Sequence, residues 1–452
     1  MVIRLLLPFA LAPFTLAQSV IPGGPSGTLG LQGPGGGSAV LVVDAAGGGD
    51  FLDLPEAVAA ANDGDLVLVE PSATAYSGFR LDGKGLAVVA RGSGVHAIVG
   101  KVEVENLGVD QFFGLRGFEV ELAAASGGVI EVSDVAGTVW IEDCEVHALG
   151  LPVTPYSPPA GANDGLMLVD CANVVLTRTS VDGQRASATT FEPRVGLHIL
   201  RSSVAAFDAT LRGPDGADAS ATLFWGCLDG TSSPQVASLA QAGGMAVRVE
   251  DSFFYAQGSS LSGGDGGTGA CCQASPRRCG IFSQTGGSGV EVLGASDVQL
   301  LDVVTAGGSG GASLMCSLSF FCSSAADGVA TLGPVSILSG DVHRLELPAL
   351  LPLGSSNTLQ VEGAEGEEAY AVFSEDSAHF YWPPLQGVQV TRAPVSFVSL
   401  GEIPAGGVLQ RSLVLPPMAL TSGAQRRIVQ GLFFAEGGST NLGGGSLVHL
   451  LP

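Results

Sequence analysis

FGLRGFEV at 113–120, VWIEDCEV at 139–146, VVLTRTSV at 174–181, LHILRSSV at 197–204, VRVEDSFF at 247–254 and VQLLDVVT at 298–305 are degenerate copies of one phrase, V-x-[IL]-x-[DRG]-x-x-[VF]. Several are preceded by a second short apolar stretch opened by glycine: GVIEV at 128–132, GLMLV at 165–169, GMAVRV at 244–249 and GVEVL at 289–293. Strands this short bury their apolar side chains only by stacking on copies of themselves, which is the condition that makes a solenoid. The closest copies begin 23 to 35 residues apart, one coil with a loop, and gaps near 50 residues hold insertions. The reading is an all-β chain: a right-handed parallel β-helix over 39–347 with a short N-terminal capping helix, followed by a small C-terminal β-sandwich over 349–452.

Composition agrees with many short strands. Of 452 residues, 46% are hydrophobic, 14% are charged and 67 are glycine, a balance that favours a packed core with tight turns over disorder or helix bundles. The formal charge is −24, from 43 acidic and 19 basic residues, so the surface repels nucleic acid and anionic lipid. Residues 1–17, MVIRLLLPFALAPFTLA, read as a secretory signal: Arg4, an apolar run, then small residues ending at Ala17. Pro8 and Pro13 break that run, and no later stretch reads as a membrane span. Residues 18–38 are rich in glycine and proline and read as a flexible tether. The expectation is a secreted, monomeric protein whose partner is an extracellular polysaccharide or a cell-surface component.

The ordered chain starts at Ala39. A helix is expected from Leu54 to Ala61, where Leu54, Val58 and Ala61 share one face that would cover the first coil. Strands follow at Leu66 to Val69 and Leu86 to Ala90. The stretch GGGDFLDLPEAVAAANDGDLVLVEPSATAYSG at 47–78 resembles the opening of pectinesterases and other pectin-lyase-like proteins, where G-D-F-x-T-I-x-E-A-I precedes a helix, D-G-D and a strand ending in P-G-x-Y. The resemblance implies the β-helix fold and says little about activity. Downstream, NTLQVEG at 357–363, AYAVFSE at 369–375, GVQVTRA at 387–393 and VLQRSLVL at 408–415 are strands separated by turn signals, the pattern of an antiparallel sandwich. The ending QGLFFAEGGSTNLGGGSLVHLLP at 430–452 resembles C-terminal modules of secreted bacterial proteins, which implies a structural or adhesive role.

Aligned on the phrase, Asp143, Arg178, Arg201, Asp251 and Asp302 occupy its fifth position, giving a partial charge ladder that is either a saccharide or Ca²⁺ groove or a solvated turn. TVWIEDCEV at 138–146 resembles the W-I-D-H-C phrase of pectate lyases, and FEPRVGLH at 191–198 is similar to their R-x-P-R-x-R-x-G-x-x-H segment. That resemblance implies Glu142 at a calcium-binding aspartate, Asp143 at the family's histidine and Arg194 at a basic position, with Ca²⁺ as the cofactor it would bring. The first arginine of the later phrase is replaced by the Phe191–Glu192 neighbourhood, and the D-F-I-F-G, Q-A-V-A-L and L-G-R-P-W phrases of pectinesterases do not occur. An inverting hydrolase would draw its two carboxyls from Asp143, Asp164, Asp170 and Asp251.

The catalytic candidates are therefore Asp143, Asp170 and Arg194. Arg178, Arg201 and Asp251 are binding candidates, joined by Tyr156, Trp225 and Tyr255 as surfaces on which sugars stack. Insertions at 149–163, 207–243 and 262–280 would form one rim of such a site. His147 and His198 stand singly, without metal-ligand spacing. Cys271, Cys272, Cys279, Cys316 and Cys322 flank the same late region, where an exported protein can staple loops with disulfides. SGGDGGTGA from Ser262 lacks the Lys-Ser/Thr of a phosphate loop and reads as a flexible turn. Together these features point to a carbohydrate-associated or surface-structural protein without established catalysis. The alternative is a polysaccharide lyase or glycoside hydrolase, which a clustering of Asp143, Asp170 and Arg194 on one solvent-facing row would favour.

Overall fold

The strands of successive coils pair in parallel and in register, so the fold is best followed down its ladders. The computed structural model describes residues 38–92, 96–123, 127–149, 163–183, 194–218, 240–274, 277–280, 283–315, 324–385, 387–414, 423–435 and 440–451. Each full coil contributes one strand to each of three rows, called here sheets A, B and C. In the coil of VWIEDCEV, strand Gly127–Glu142 supplies sheets A and B in one continuous run, and Glu145–Leu149 supplies sheet C. The next coil repeats this with Asn163–Thr177 and Ser180–Asp182. Later coils use separate strands, such as Val195–Leu200, Ser203–Phe207 and Thr210–Arg212. This is a parallel β-helix with a β-sandwich after it.

One inward ladder on sheet B reads Val67, Val88, Leu115, Ile141, Leu176, Ala206, Ala256 and Leu300, each paired with the next. All eight are at most 1% exposed, so side chains that look scattered in sequence form one continuous core. The N-terminal end is closed by helix α1, Leu54–Ala60, with Asp53 as N-cap accepting from Leu54 N and Pro55 in the first turn. Its buried residues Leu54, Ala57 and Val58 lie on the first coil. An uncovered coil would expose core and strand edges together, which is what the cap prevents.

The corners of the coil explain the charges at the phrase's fifth position. Asp143, Arg178 and Asp302 lie between sheets B and C, whereas Arg201 and Asp251 lie between sheets A and B, so the single expected ladder is two ladders on different corners. Copies 197–204 and 247–254 begin on sheet A and the other four on sheet B. All five residues have φ between +47° and +53°. The left-handed region favours Gly, Asn and Asp, so aspartate fits the corner and arginine is held there at a cost of order 1 kcal/mol. A ladder of small polar groups follows each corner: Cys171 N donates to Ser202 Oγ, Ser202 N to Ser252 Oγ, and Ser252 N to Ser296 Oγ. Buried Cys144 and Cys171 belong to these corners as free thiols.

The glycine-rich insertions are not loose turns. Segments 213–218, 240–244, 263–268, 283–288, 307–312 and 324–328 lie side by side, joined by hydrogen bonds such as Gly264 N to Gly244 O at 2.9 Å and Gly287 N to Gly264 O at 2.8 Å. A Cβ on Gly264 would come within 1.9 Å of Pro214 O, and one on Gly267 within 1.9 Å of Ala217 O. Glycines 263/266, 264/267, 307/310 and 308/311 recur at a spacing of three with such contacts, which is the period of a polyproline II helix. SGGDGGTGA thus belongs to a packed bundle of extended segments, and its glycines are fixed by close backbone approach.

The last coil strand is Ser336–Leu338 and the first sandwich strand Arg344–Glu346, so the chain crosses over ahead of the boundary suggested by composition. One sandwich sheet holds Arg344–Glu346, Ser356–Glu362 and Val408–Val414. The other holds Leu350–Pro352, Thr440–Leu451, Gln425–Phe434, Glu368–Ser374 and Val395–Glu402, with a separate hairpin at Ser377–Trp382 and Gly387–Thr391. Sixteen buried apolar residues, from Leu345 to Leu450, form its own core.

Candidate functional site

The outward face of sheet B is apolar, and the sandwich lies on it. Phe112, Trp140, Val175, Ala205, Phe207, Tyr255 and Leu301 from the coils pack with Val388, Val390, Ile428 and Leu447 from the sandwich. At Gly114 a Cβ would sit 2.8 Å from Leu447 Cδ2, so the sandwich side chains pack directly against the coil backbone there. Arg426 adds a cation over the Phe112 ring at 4.1 Å.

Along one border of this interface four charges converge. Glu142 is wholly buried and accepts from Trp140 Nε1 at 2.8 Å, Leu447 N at 2.7 Å, Ser446 Oγ at 2.6 Å and Arg178 Nη2. Arg178 also donates from Nε to Asp143 at 2.7 Å, and Arg116 from Nε to Asp143 at 2.8 Å. Arg116 reaches the carbonyl oxygens of Leu347, at 2.7 Å, and Leu447. Burial pushes the Asp143 carboxyl up, but the guanidinium groups of Arg178 and Arg116 outweigh it and hold the carboxyl below its ordinary range. The same carboxylates hold the Arg178 guanidinium charged despite its burial. Farther along the border, Arg344 Nε donates to Asp208 at 2.6 Å and its Nη1 to Glu362 at 3.1 Å. An open cleft of about 470 Å³ lies here, lined by Arg116, Asp143 and Arg178 on the coil side and Leu347, Thr358 and Gln360 among the sandwich residues.

These partners bear directly on the sequence candidates. Glu142 and Asp143 do come together with Arg178, but as an interdomain clamp: their oxygens are taken by amide, indole, hydroxyl and guanidinium donors, and two arginines stand where a cation would have to bind. The pair therefore does not fit Ca²⁺, and among the described residues no cluster of three His, Cys, Asp or Glu side chains suits a metal. Asp170 lies on the other corner, paired with Arg201 Nη2 at 2.6 Å and exposed. Arg194 stands at the start of a sheet A strand. Asp143, Asp170 and Arg194 are thus spread over three places around the coil. Asp251 accepts from Ala295 N at 2.8 Å, a turn contact.

Tyr255 is a correction. It is fully buried beneath the sandwich, with its ring 5.9 Å from Phe207 and 6.0 Å from Tyr381, because its strand faces the docked domain and not an insertion rim. Tyr156, Trp225, Cys316 and Cys322 lie outside the described residues. The backbones of Cys272 and Cys279 are directly opposed on antiparallel strands Gly269–Ala274 and Arg277–Gly280.

The sequence reading missed Arg116, Ser446 and the salt-bridged row on sheet A. Arg116 is the fourth residue of FGLRGFEV, but besides Asp143 in the next coil its partners are carbonyls 231 and 331 residues away. On sheet A, His198 sits 3.5 Å from both Asp164 Oδ2 and Glu250 Oε1, and Arg248 Nε is 2.6 Å from Glu250. On sheet C, His147 lies 3.4 Å from Asp182.

With the fold and cluster defined, the chain can be set beside known proteins. No protein-family model and no curated protein matches it. Among solved structures it is similar to pectate lyase Pel9A, at 13% identity and a TM-score of 0.28 over 59% of this chain and 70% of that one. It is also similar to ORF18 of Geobacillus virus E2, at 11% identity and a TM-score of 0.28 over 78% of this chain and 74% of that one. A Pseudomonas fluorescens alkylpurine DNA glycosylase, AlkC, is similar over 25% of this chain and 31% of that one, at 18% identity and a TM-score of 0.13. Similarity at these levels carries no argument about activity, and the class of the protein rests on its own ladders: a parallel β-helix with a docked β-sandwich.

Proposed function

We propose that this is a secreted, carbohydrate-associated or surface-structural protein in which the β-helix serves as a scaffold and binding surface without catalysis. The observation that carries the reading is the fate of Glu142 and Asp143, the carboxylates nearest a lyase phrase, which are consumed in holding the sandwich to the coils. A general base needs a free lone pair within reach of its proton, and a lyase also needs a neutralised substrate carboxylate beside it. The spread of Asp143, Asp170 and Arg194 around the coil supports the same conclusion. The cleft beside the clamp is lined mostly by polar groups, and Thr358 together with the remaining donor and acceptor of Gln360, whose amide also bonds Glu362 and Gln410, would meet glycan hydroxyls there.

A second reading, a polysaccharide lyase or hydrolase, draws support from His198 between Asp164 and Glu250 on sheet A. One experiment separates them. The chain from Gln18 is screened on a glycan array and assayed with calcium and polygalacturonate for absorbance from unsaturated uronates. Glycan binding lost in Gln360→Ala, with no absorbance change, supports the scaffold reading. Absorbance that vanishes in Arg194→Ala or His198→Ala overturns it, and an array without any binding removes the carbohydrate branch and leaves the surface-structural one.

A further inference from the structure

Among the described residues, the bundle of extended glycine segments ends on an open edge. Its connecting hydrogen bonds zigzag through Gly244 N to Pro214 O, Gly264 N to Gly244 O, Gly287 N to Gly264 O, Gly308 N to Gly287 O and Gly328 N to Gly308 O, each between 2.7 and 2.9 Å. Gly328 O accepts nothing from a described residue. At every step from Gly264 to Gly328 a Cβ would meet a backbone oxygen at 1.9 Å, so only a strand with glycine at the matching positions can join. The coils finish on the same end. Ile337, paired with inward Leu300, is 70% exposed, and Val304, Leu332 and Val329 are 68%, 51% and 50% exposed. No helix caps this end among the described residues, in contrast to α1 at the other.

The chain carries a segment of the required kind. Gly24, Gly27, Gly30, Gly33 and Gly36 recur at every third residue of GPSGTLGLQGPGG, and Gly24-Pro25-Ser26-Gly27 has the form of Gly213-Pro214-Asp215-Gly216 within the bundle. We propose that residues 24–36 of a second copy of this chain dock as an added polyproline II strand on the bundle's open edge at 307–312 and 324–328, linking copies of the protein. Reach keeps the chain's own segment from lying along this edge, since of its five glycines only Gly24, at about 50 Å from Ser38 when fully extended, could span the distance. Nine parallel pairings separate Val40–Val43 from Ser336–Leu338, about 43 Å at the spacing of paired strands. Gly36 lies within about 7 Å of Ser38 and Gly30 within about 29 Å, even fully extended. Bringing the capped end of one copy to the open end of another lets the segment lie along the edge. The contact is heterologous, and closes into a reciprocal dimer or continues as a fibre.

The test is sedimentation of the chain from Gln18, which keeps every described residue. The expected result is self-association at about 100 µM or below, weakened by about tenfold or more in Gly27→Ala/Gly30→Ala/Gly33→Ala and in the edge variant Ala326→Arg/Val329→Arg, and retained in Thr28→Ala/Gln32→Ala, which keeps the glycine period. A monomer at that concentration overturns the proposal. So does association that survives the triple glycine variant, or a trimer that survives the edge variant, since a collagen-like bundle of tethers would need no edge.

Discussion

Replacing Glu142 by alanine should undock the sandwich. The side chain is fully buried and accepts from Trp140, Ser446, Leu447 N and Arg178, with Arg116 at 3.2 Å. Removal strands the Leu447 N–H and the indole N–H, at roughly 1–3 kcal/mol for a buried unmet group. It also leaves two arginines to share Asp143, and breaking a buried pair from one side costs about 3–5 kcal/mol. Together the loss should be about 4–7 kcal/mol, allowing for overlap between the two costs. Asp143→Ala removes a carboxylate whose side chain is 35% exposed, where water can replace it, and should cost only about 1–2 kcal/mol. Glu142→Gln keeps the acceptor and loses the charge, and should fall between them. Trp140 packs against the sandwich and reports the event: urea titrations followed by its fluorescence in a Trp225→Phe/Trp382→Phe background, with limited proteolysis between Leu338 and Arg344, measure docking. A Glu142→Ala midpoint close to wild type, or a smaller effect than Asp143→Ala, would refute the clamp.

Gly264→Ala and Gly308→Ala should each lower the melting temperature, since a Cβ meets a backbone oxygen at 1.9 Å, whereas Gly83→Ala at φ +66° meets no neighbour and should cost about 1 kcal/mol; equal effects in differential scanning fluorimetry would count against a rigid bundle. Docking should weaken in acid. His379, whose Nδ1 lies 3.1 Å from Ser203 Oγ, is pushed by burial down to about 4, and His449 to about 3 by burial and by Arg426 and Arg116. Both values lie below that of a free histidine, so this stability is present above pH 6.5 and is lost as pH falls from there toward 4 and 3. His379→Gln should flatten the pH dependence of the urea midpoint between pH 7 and 4.5, and an unchanged slope would contradict the assignment. Non-reducing peptide mapping should find Cys272 joined to Cys279, directly opposed in their hairpin, and native Cys144 and Cys171 should resist alkylation because burial pushes both thiols up to about 12; free Cys272 and Cys279 in oxidised protein would refute the pairing.

What the sequence determined by itself was the repeating unit. Alternation of apolar residues with a left-handed corner every coil is a local property, so the phrases, the cap helix and strands such as Leu66–Val69 and Leu86–Ala90 could be read from neighbouring residues. What it did not determine was the outside of the solenoid. An outward strand position looks the same in sequence whether it meets water or a second domain, so Tyr255 reads as a sugar platform and Glu142 as a lyase residue although both lie under the sandwich. The two corner ladders merged for a related reason: the A–B and B–C corners demand the same backbone conformation, so the same residue types serve both. Glycines of the insertions read as freedom because glycine alone permits many conformations, and only neighbouring segments reveal that each is there to let a carbonyl approach. Tertiary structure decided these points because partners separated by up to 331 residues supply the contact that gives each side chain its role.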